Sequence, residues 1–233
     1  MGLRTNPVRG VIFDMDGLLV DAGPIWRSVG DEMFAELGAD ISDVSATGVA
    51  MGMSVGDAME LFCSYAGIPA EERAQLEQRI VERVVDAISQ RAELLPGALF
   101  ALDFCEGRSL TVALASGSTP PIIEAVLSRF GLVGRFAAVC SAIEEPFGKP
   151  HPSVFLTAAA RLGERPSACL VLEDAVDGCI AAKAASMRVI AVPDATGVAD
   201  PRYAIADLVV PSLEHLADDE ALAVMGLDAV PVD

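Results

Sequence analysis

The chain has 233 residues, just over half of them hydrophobic, and a formal net charge of -18, so it can bury a full core as one domain or as a core with a modest insertion. Its acidity excludes sequence-independent binding to nucleic acid or anionic lipid, both of which need clustered Lys and Arg; a phosphorylated ligand would also be repelled unless a metal and a few cations reverse the field locally, and the chain has only two lysines, Lys149 and Lys183. The five cysteines are odd in number, widely spaced and set in apolar runs, which predicts buried free thiols in a reducing cytoplasm, while the start MGLRTNPVRG and the lack of any long uncharged apolar stretch predict neither a signal peptide nor a membrane span.

In chain order, Val11, Ile12 and Phe13 form a short apolar run that ends in acidic residues and glycine, the pattern of a buried strand delivering polar groups to its C-terminal edge. From about Pro24 to Ala92 the periodicity is helical, as in IWRSVGDEMFAELG and ERAQLEQRIVERVVDAISQRAELL, with no clear strand between. The Glu and Arg of the second stretch read as a solvated helix face. Pro96-Gly97 marks a return, after which strand-like and helical runs alternate: TVALAS, PIIEAVLSRFGL, AAVCSA, SVFLTAAARLG, CLVLEDA, a helix near 178–186, RVIAVP and DLVVP. This alternation predicts an α/β fold, a doubly wound parallel sheet with helices on both faces and the helical block inserted after the first strand. Ligands of such sheets bind outside the carboxyl ends of the strands. The final GLDAVPVD reads as a loose tail.

Four strand ends carry polar groups suited to a phosphate and its metal. In FDMDGLLVD, Asp14 and Asp16 sit two apart and can face one crevice, which is costly unless a cation joins them. LASGS places Ser116 at a strand end, with Gly117 allowing backbone N–H groups to approach an anion and Ser118 following, before Pro120-Pro121 opens a helix. GKPHP holds Lys149 between a glycine and a proline that restrict its backbone. LVLEDAVDG ends its apolar run in Glu173 and Asp174, a second acidic pair fit for a hard cation such as magnesium. Taken singly, each has a plainer reading as an acidic turn, an N-cap or an exposed loop lysine. His151, between two prolines and with no acidic or serine partner nearby in sequence, reads as a loop or cap residue.

In this ordered set the chain resembles the haloacid dehalogenase superfamily. Asp14 and Asp16 stand at its first motif, Ser116 at its second, Lys149 at its third, and Glu173 with Asp174 at its fourth. The likeness spans nearly the whole chain and is greatest to the sugar-phosphate branch, that of hexitol and 2-deoxyglucose-6-phosphate phosphatases and of β-phosphoglucomutase-like proteins. It implies a Rossmann-like core at residues 1–21 and 93–233 with a helical cap at 22–92. It also implies a phosphatase in which Asp14 is the nucleophile and Asp16 the acid and base. Ser116, the Gly117 amide and Lys149 would hold the phosphoryl oxygens. Mg2+ would be held by Asp14, the Asp16 carbonyl and Asp174, with Glu173 reaching it through water. The expected partner is a small phosphorylated metabolite, met by a monomer, with Trp26, Ser54 and Ser118 as candidate substrate contacts.

The chain departs from this pattern in three places. Many relatives have a second aspartate where this chain has Gly178, and the resemblance to the sugar-phosphate branch implies that Glu173 compensates for it. The mutase has a cap histidine where Trp26 stands, and relatives commonly place an arginine near Ser54, where this chain has none. An isomerase moving phosphate within one sugar is the alternative in the enzyme class; a phospho-aspartate signalling or binding protein without turnover is the alternative outside it.

Overall fold

The computed structural model describes residues 7–50, 53–194 and 200–228. Six strands, β1 (Gly10–Phe13), β2 (Thr111–Ser116), β3 (Ala138–Ser141), β4 (Cys169–Glu173), β5 (Arg188–Ala191) and β6 (Leu208–Val209), form one parallel sheet in the order β3-β2-β1-β4-β5-β6. Strand alternation sends Val11, Phe13, Leu114, Leu172 and Ile190 into one buried cluster and Ile12, Ala113, Ala115, Val171 and Val189 into another. Because both faces are covered, these strands read as continuous apolar runs rather than alternating ones.

The second face is covered by α7 (Ser153–Leu162) and α8 (Val176–Ala184), through Phe155, Ala158, Cys179 and Ala182. The first is covered by α5 (Ala98–Gly107), α6 (Pro120–Arg129) and α9 (Asp219–Met225), through Leu102, Ile122, Val126 and Leu222. The architecture is the doubly wound one expected. Two helices, α5 and α9, are additions to the sequence reading, and the loose tail expected at 226–233 lies in part outside the described residues. All five cysteines are free and buried. Among the described residues no helix is long and apolar enough to cross a membrane.

Between β1 and α5 the chain forms α1 (Gly23–Glu36), α2 (Ser42–Ser45), α3 (Val55–Ala66) and α4 (Arg73–Arg91). In α4, Leu76, Ile80, Val84 and Ile88 recur every fourth residue and are buried, while half-buried Arg79 and Arg83 flank that stripe and both pair with Glu36 of α1. The block's apolar stripe is continuous with the core on the first face of the sheet. Its two connections run side by side: Val20 bridges Leu94, and the Leu95 amide donates to the Leu19 carbonyl at 2.9 Å. From α6, Arg129 donates to the Ser89 and Ala92 carbonyls at 2.6 and 2.8 Å, satisfying groups that the end of α4 leaves unpaired.

Candidate active site

The strand order reverses about β1, so the carboxyl ends of β1, β2 and β4 open on one crevice. Asp14 follows β1 directly, and its amide is fixed by the Leu172 carbonyl of β4 at 3.0 Å. Its side chain is buried and meets Lys149, whose Nζ lies 2.6 Å from Asp14 Oδ1, 2.5 Å from Glu173 Oε1 and 3.3 Å from the Ala115 carbonyl. Lys149 is not at a strand end as expected but in the loop that follows β3, from which its side chain comes to rest between the ends of β1, β2 and β4, with its ammonium 5.0 Å from the Phe155 ring centroid. Glu173 uses its other oxygen to accept from the Ala175 amide at 2.9 Å.

One lysine does not balance this cluster. Ligand oxygens of Asp14, Glu173 and Asp174 lie within 4.8 Å of one another. Burial, with the Glu173 and Asp16 charges behind it, pushes the Asp14 carboxyl up to about 7 although Lys149 opposes the shift. Burial and then the charges of Glu173 and Asp14 carry Asp174 well above the ordinary carboxylate range. Burial by itself would push the Lys149 ammonium down, but the two carboxylates hold its pKa above the usual lysine value. Carboxylates that resist ionising this strongly, gathered around one point, are the donor set that a hard divalent cation stabilises.

Asp16 stands apart from that set. Its Oδ2 accepts from the Ser118 hydroxyl at 2.5 Å, and its Oδ1 is buried with no hydrogen-bond partner among the described residues. Burial raises its pKa, and the Ser118 bond only partly offsets this. Asp16 thus combines a raised pKa with a buried oxygen that has no partner among the described residues, two residues beyond the carboxylate that Lys149 grips. Ser116 is buried and accepts the Ser118 amide at 3.0 Å, while Ser141, at the end of β3, donates to the Ser118 carbonyl at 2.7 Å. Ser141 was not singled out from sequence; its place at the end of the AAVCSA run was the available signal. A side chain on Gly117 would meet nothing within 4 Å, so the space over this turn is open.

Two glycines close the remaining sides. Gly17 has φ +88°, and a Cβ there would overlap the Asp174 carboxylate. A Cβ on Gly178 would overlap the Glu173 carboxylate. Position 178 thus has no room for a second aspartate while Glu173 lies as it does. Neither Asp174 nor Asp177 caps α8, whose N-cap is Ala175 without a side-chain bond.

The structure joins neither Trp26 nor Ser54 to the acid cluster by a hydrogen bond or ion pair among the described residues. Trp26 is half-buried and packs on the hydrophobic core, and Ser54 is the N-cap of α3, accepting from the Asp57 amide at 3.1 Å and donating to its carboxylate at 2.7 Å. His151 requires a correction. It has a serine partner: its Nδ1 lies 2.6 Å from the Ser153 hydroxyl, close enough in sequence to have been anticipated. The pair closes the start of α7, with the Phe147 ring beside it at 4.9 Å between centroids, so a loop and capping role stands.

A family model described as haloacid dehalogenase-like hydrolase matches residues 8–186. The chain is 37% identical over 215 residues to hexitol phosphatase B of Escherichia coli strain K12, covering 92% of this chain and 97% of that one. Among solved structures it is similar to CbbY from Rhodobacter sphaeroides in complex with phosphate, with a TM-score of 0.81 at 23% identity over 90% of this chain and 96% of that one. It is similar too to β-phosphoglucomutase from Clostridium difficile, with a TM-score of 0.78 at 23% identity over 94% and 97%. At those identities the two structures speak for the fold.

Proposed function

Because the chain belongs to the haloacid dehalogenase-like hydrolase family, we propose that it is a magnesium-dependent phosphatase of small sugar or sugar-alcohol phosphates, working through an aspartyl phosphate on Asp14. The substrate class rests on the hexitol phosphatase relative. The observation that carries the chemistry is the division of labour between two neighbouring carboxyls: Asp14 lies in the Asp14–Glu173–Asp174 cluster beside Lys149, and Asp16 is held away from it on Ser118.

Asp14, Asp174 and Glu173 would hold the magnesium ion, which when bound offsets the charge of both the attacking carboxylate and the phosphoryl group. Asp14 attacks phosphorus with one carboxylate oxygen; that O–P bond forms as the P–O bond to the sugar breaks. Asp16, whose pKa burial raises, gives its proton to the leaving alkoxide and so releases the alcohol. Water then attacks the aspartyl phosphate, Asp16 takes the proton, and Asp14 is freed with inorganic phosphate. Lys149 favours the ionised form of Asp14 against the burial that opposes it and, with Ser116 and the Gly117 amide, holds the phosphoryl oxygens. We assign residues 22–92 as a cap on a core of 1–21 and 93–233, closing over the substrate about the paired connections at Val20 and Leu94 and excluding bulk water.

The test is phosphate release from 2-deoxyglucose 6-phosphate, glucose 6-phosphate, sorbitol 6-phosphate and β-glucose 1-phosphate, with magnesium or chelator, by wild type and Asp14→Asn. Magnesium-dependent release by wild type alone supports the reading. Conversion of β-glucose 1-phosphate to glucose 6-phosphate without free phosphate replaces it with an isomerase. A stable phosphoprotein without turnover replaces it with the signalling alternative.

A further inference from the structure

The strand ends described so far hold the functional side chains, but a further element reaches the acid cluster from outside them. Between the end of β4 at Glu173 and the start of α8 at Val176 there are only two residues, Asp174 and Ala175. The peptide unit between them is held at both ends. Its N–H, from Ala175, donates to Glu173 Oε2 at 2.9 Å, and its carbonyl, from Asp174, accepts from the Tyr203 hydroxyl.

Tyr203 lies in the 3-10 turn Pro201–Ile205, after β5, and is buried in the core of the second face. The turn is itself anchored: Asp200 accepts from the Arg202 amide at 2.9 Å and pairs with its guanidinium. Burial pushes the phenol up, so the hydroxyl stays a donor at any working pH. On its far side Asp174 abuts Gly17, where even a Cβ would overlap its carboxylate. A peptide held at both N–H and carbonyl resists rotation, and this steadies the backbone from which Asp174 presents its carboxylate beside Asp14 and Glu173.

We infer that Tyr203 is a positioning residue for the divalent-cation site, acting through the Asp174–Ala175 peptide without touching the ion or the substrate. The inference rests on the magnesium reading above. Groups that orient metal ligands in this way commonly change metal affinity by about 10- to 100-fold when removed, and a backbone contact belongs at the lower end.

The experiment is calorimetric titration of Mg2+ into the chelator-stripped full chain, wild type and Tyr203→Phe, with melting temperatures taken in chelator. Phe keeps the ring and removes the hydroxyl. Mg2+ binding about 10-fold weaker in Tyr203→Phe is the expected result. Equal affinities, however far the melting temperature falls, would reduce Tyr203 to a structural residue and overturn the inference while leaving the metal reading intact. Wild type that binds no Mg2+ overturns both. A second measurement needs no variant: the chain has two tyrosines, Tyr203 and the exposed Tyr65, so uniform 3-fluorotyrosine labelling gives two fluorine resonances. Mg2+ should move the Tyr203 signal and leave that of Tyr65 in place; a Tyr203 signal indifferent to saturating Mg2+ refutes the coupling.

Discussion

Replacing Asp14, the proposed nucleophile, should stabilise the metal-free protein. Asn has the shape of a protonated Asp14, so Asp14→Asn reports what ionising that carboxyl costs in the folded site. The carboxyl titrates near 3.8 when unperturbed and is pushed to about 7 here, with the help of Lys149 already included; at about 1.4 kcal/mol per unit, the ionised form is penalised by about 4 kcal/mol. The sign follows from proton binding. As pH rises from about 4 to 7, the unfolded chain gives up this proton and the folded chain keeps it, so wild-type stability falls across that window relative to the variant. The gap is near zero at pH 4 and full above pH 7. For a chain of this length it corresponds to a melting temperature higher in Asp14→Asn by on the order of 10 °C. The assay is thermal unfolding in chelator from pH 4 to 8, repeated with saturating Mg2+, which should narrow the gap because the ion binds the ionised carboxylate of wild type more tightly. A gap that is absent at pH 8, or that is as large at pH 4, would refute the claim that burial dominates the Asp14 environment.

Asp16→Asn should retain Mg2+ affinity by calorimetry yet lose about 10²- to 10⁴-fold in phosphate release, the usual contribution of a positioned acid and base; near-wild-type turnover would remove Asp16 from the mechanism. Gly178→Ala should destabilise the fold by about 1–3 kcal/mol in urea titration, since its Cβ overlaps the Glu173 carboxylate, and combining it with Glu173→Ala should recover much of that loss. Arg129→Ala leaves the Ser89 and Ala92 carbonyls without their donor, at a cost of about 1–3 kcal/mol; hydrogen exchange should rise first at the end of α4, and a uniform rise would argue against a local latch.

The strand ends were legible because a parallel strand covered on both faces is a nearly unbroken apolar run, so the polar residues that follow it stand out: Asp14 after Phe13, Ser116 after Ala115, Glu173 after Leu172. Helix α5 was harder to see. Its Leu99 and Phe100 are 46% and 41% exposed, and apolar residues on the outer face blur the helical period by which a buried stripe is recognised. The serine beside His151 stands only two residues along the chain, so that contact is legible in the sequence.

The order and chemistry of these segments determined by themselves the fold class, the polar ends of β1, β2 and β4, the helical insertion and the family, since periodicity and local motif are properties of neighbouring residues. Tertiary structure alone decided which groups face each other. Lys149 lies 135 positions from Asp14 and meets it at 2.6 Å; Asp16 and Ser118 pair across 102 positions; Tyr203 reaches the Asp174 carbonyl across 29. Such contacts, and the shifted pKa values that follow from them, depend on burial and on distance in space, and neither is a function of spacing along the chain.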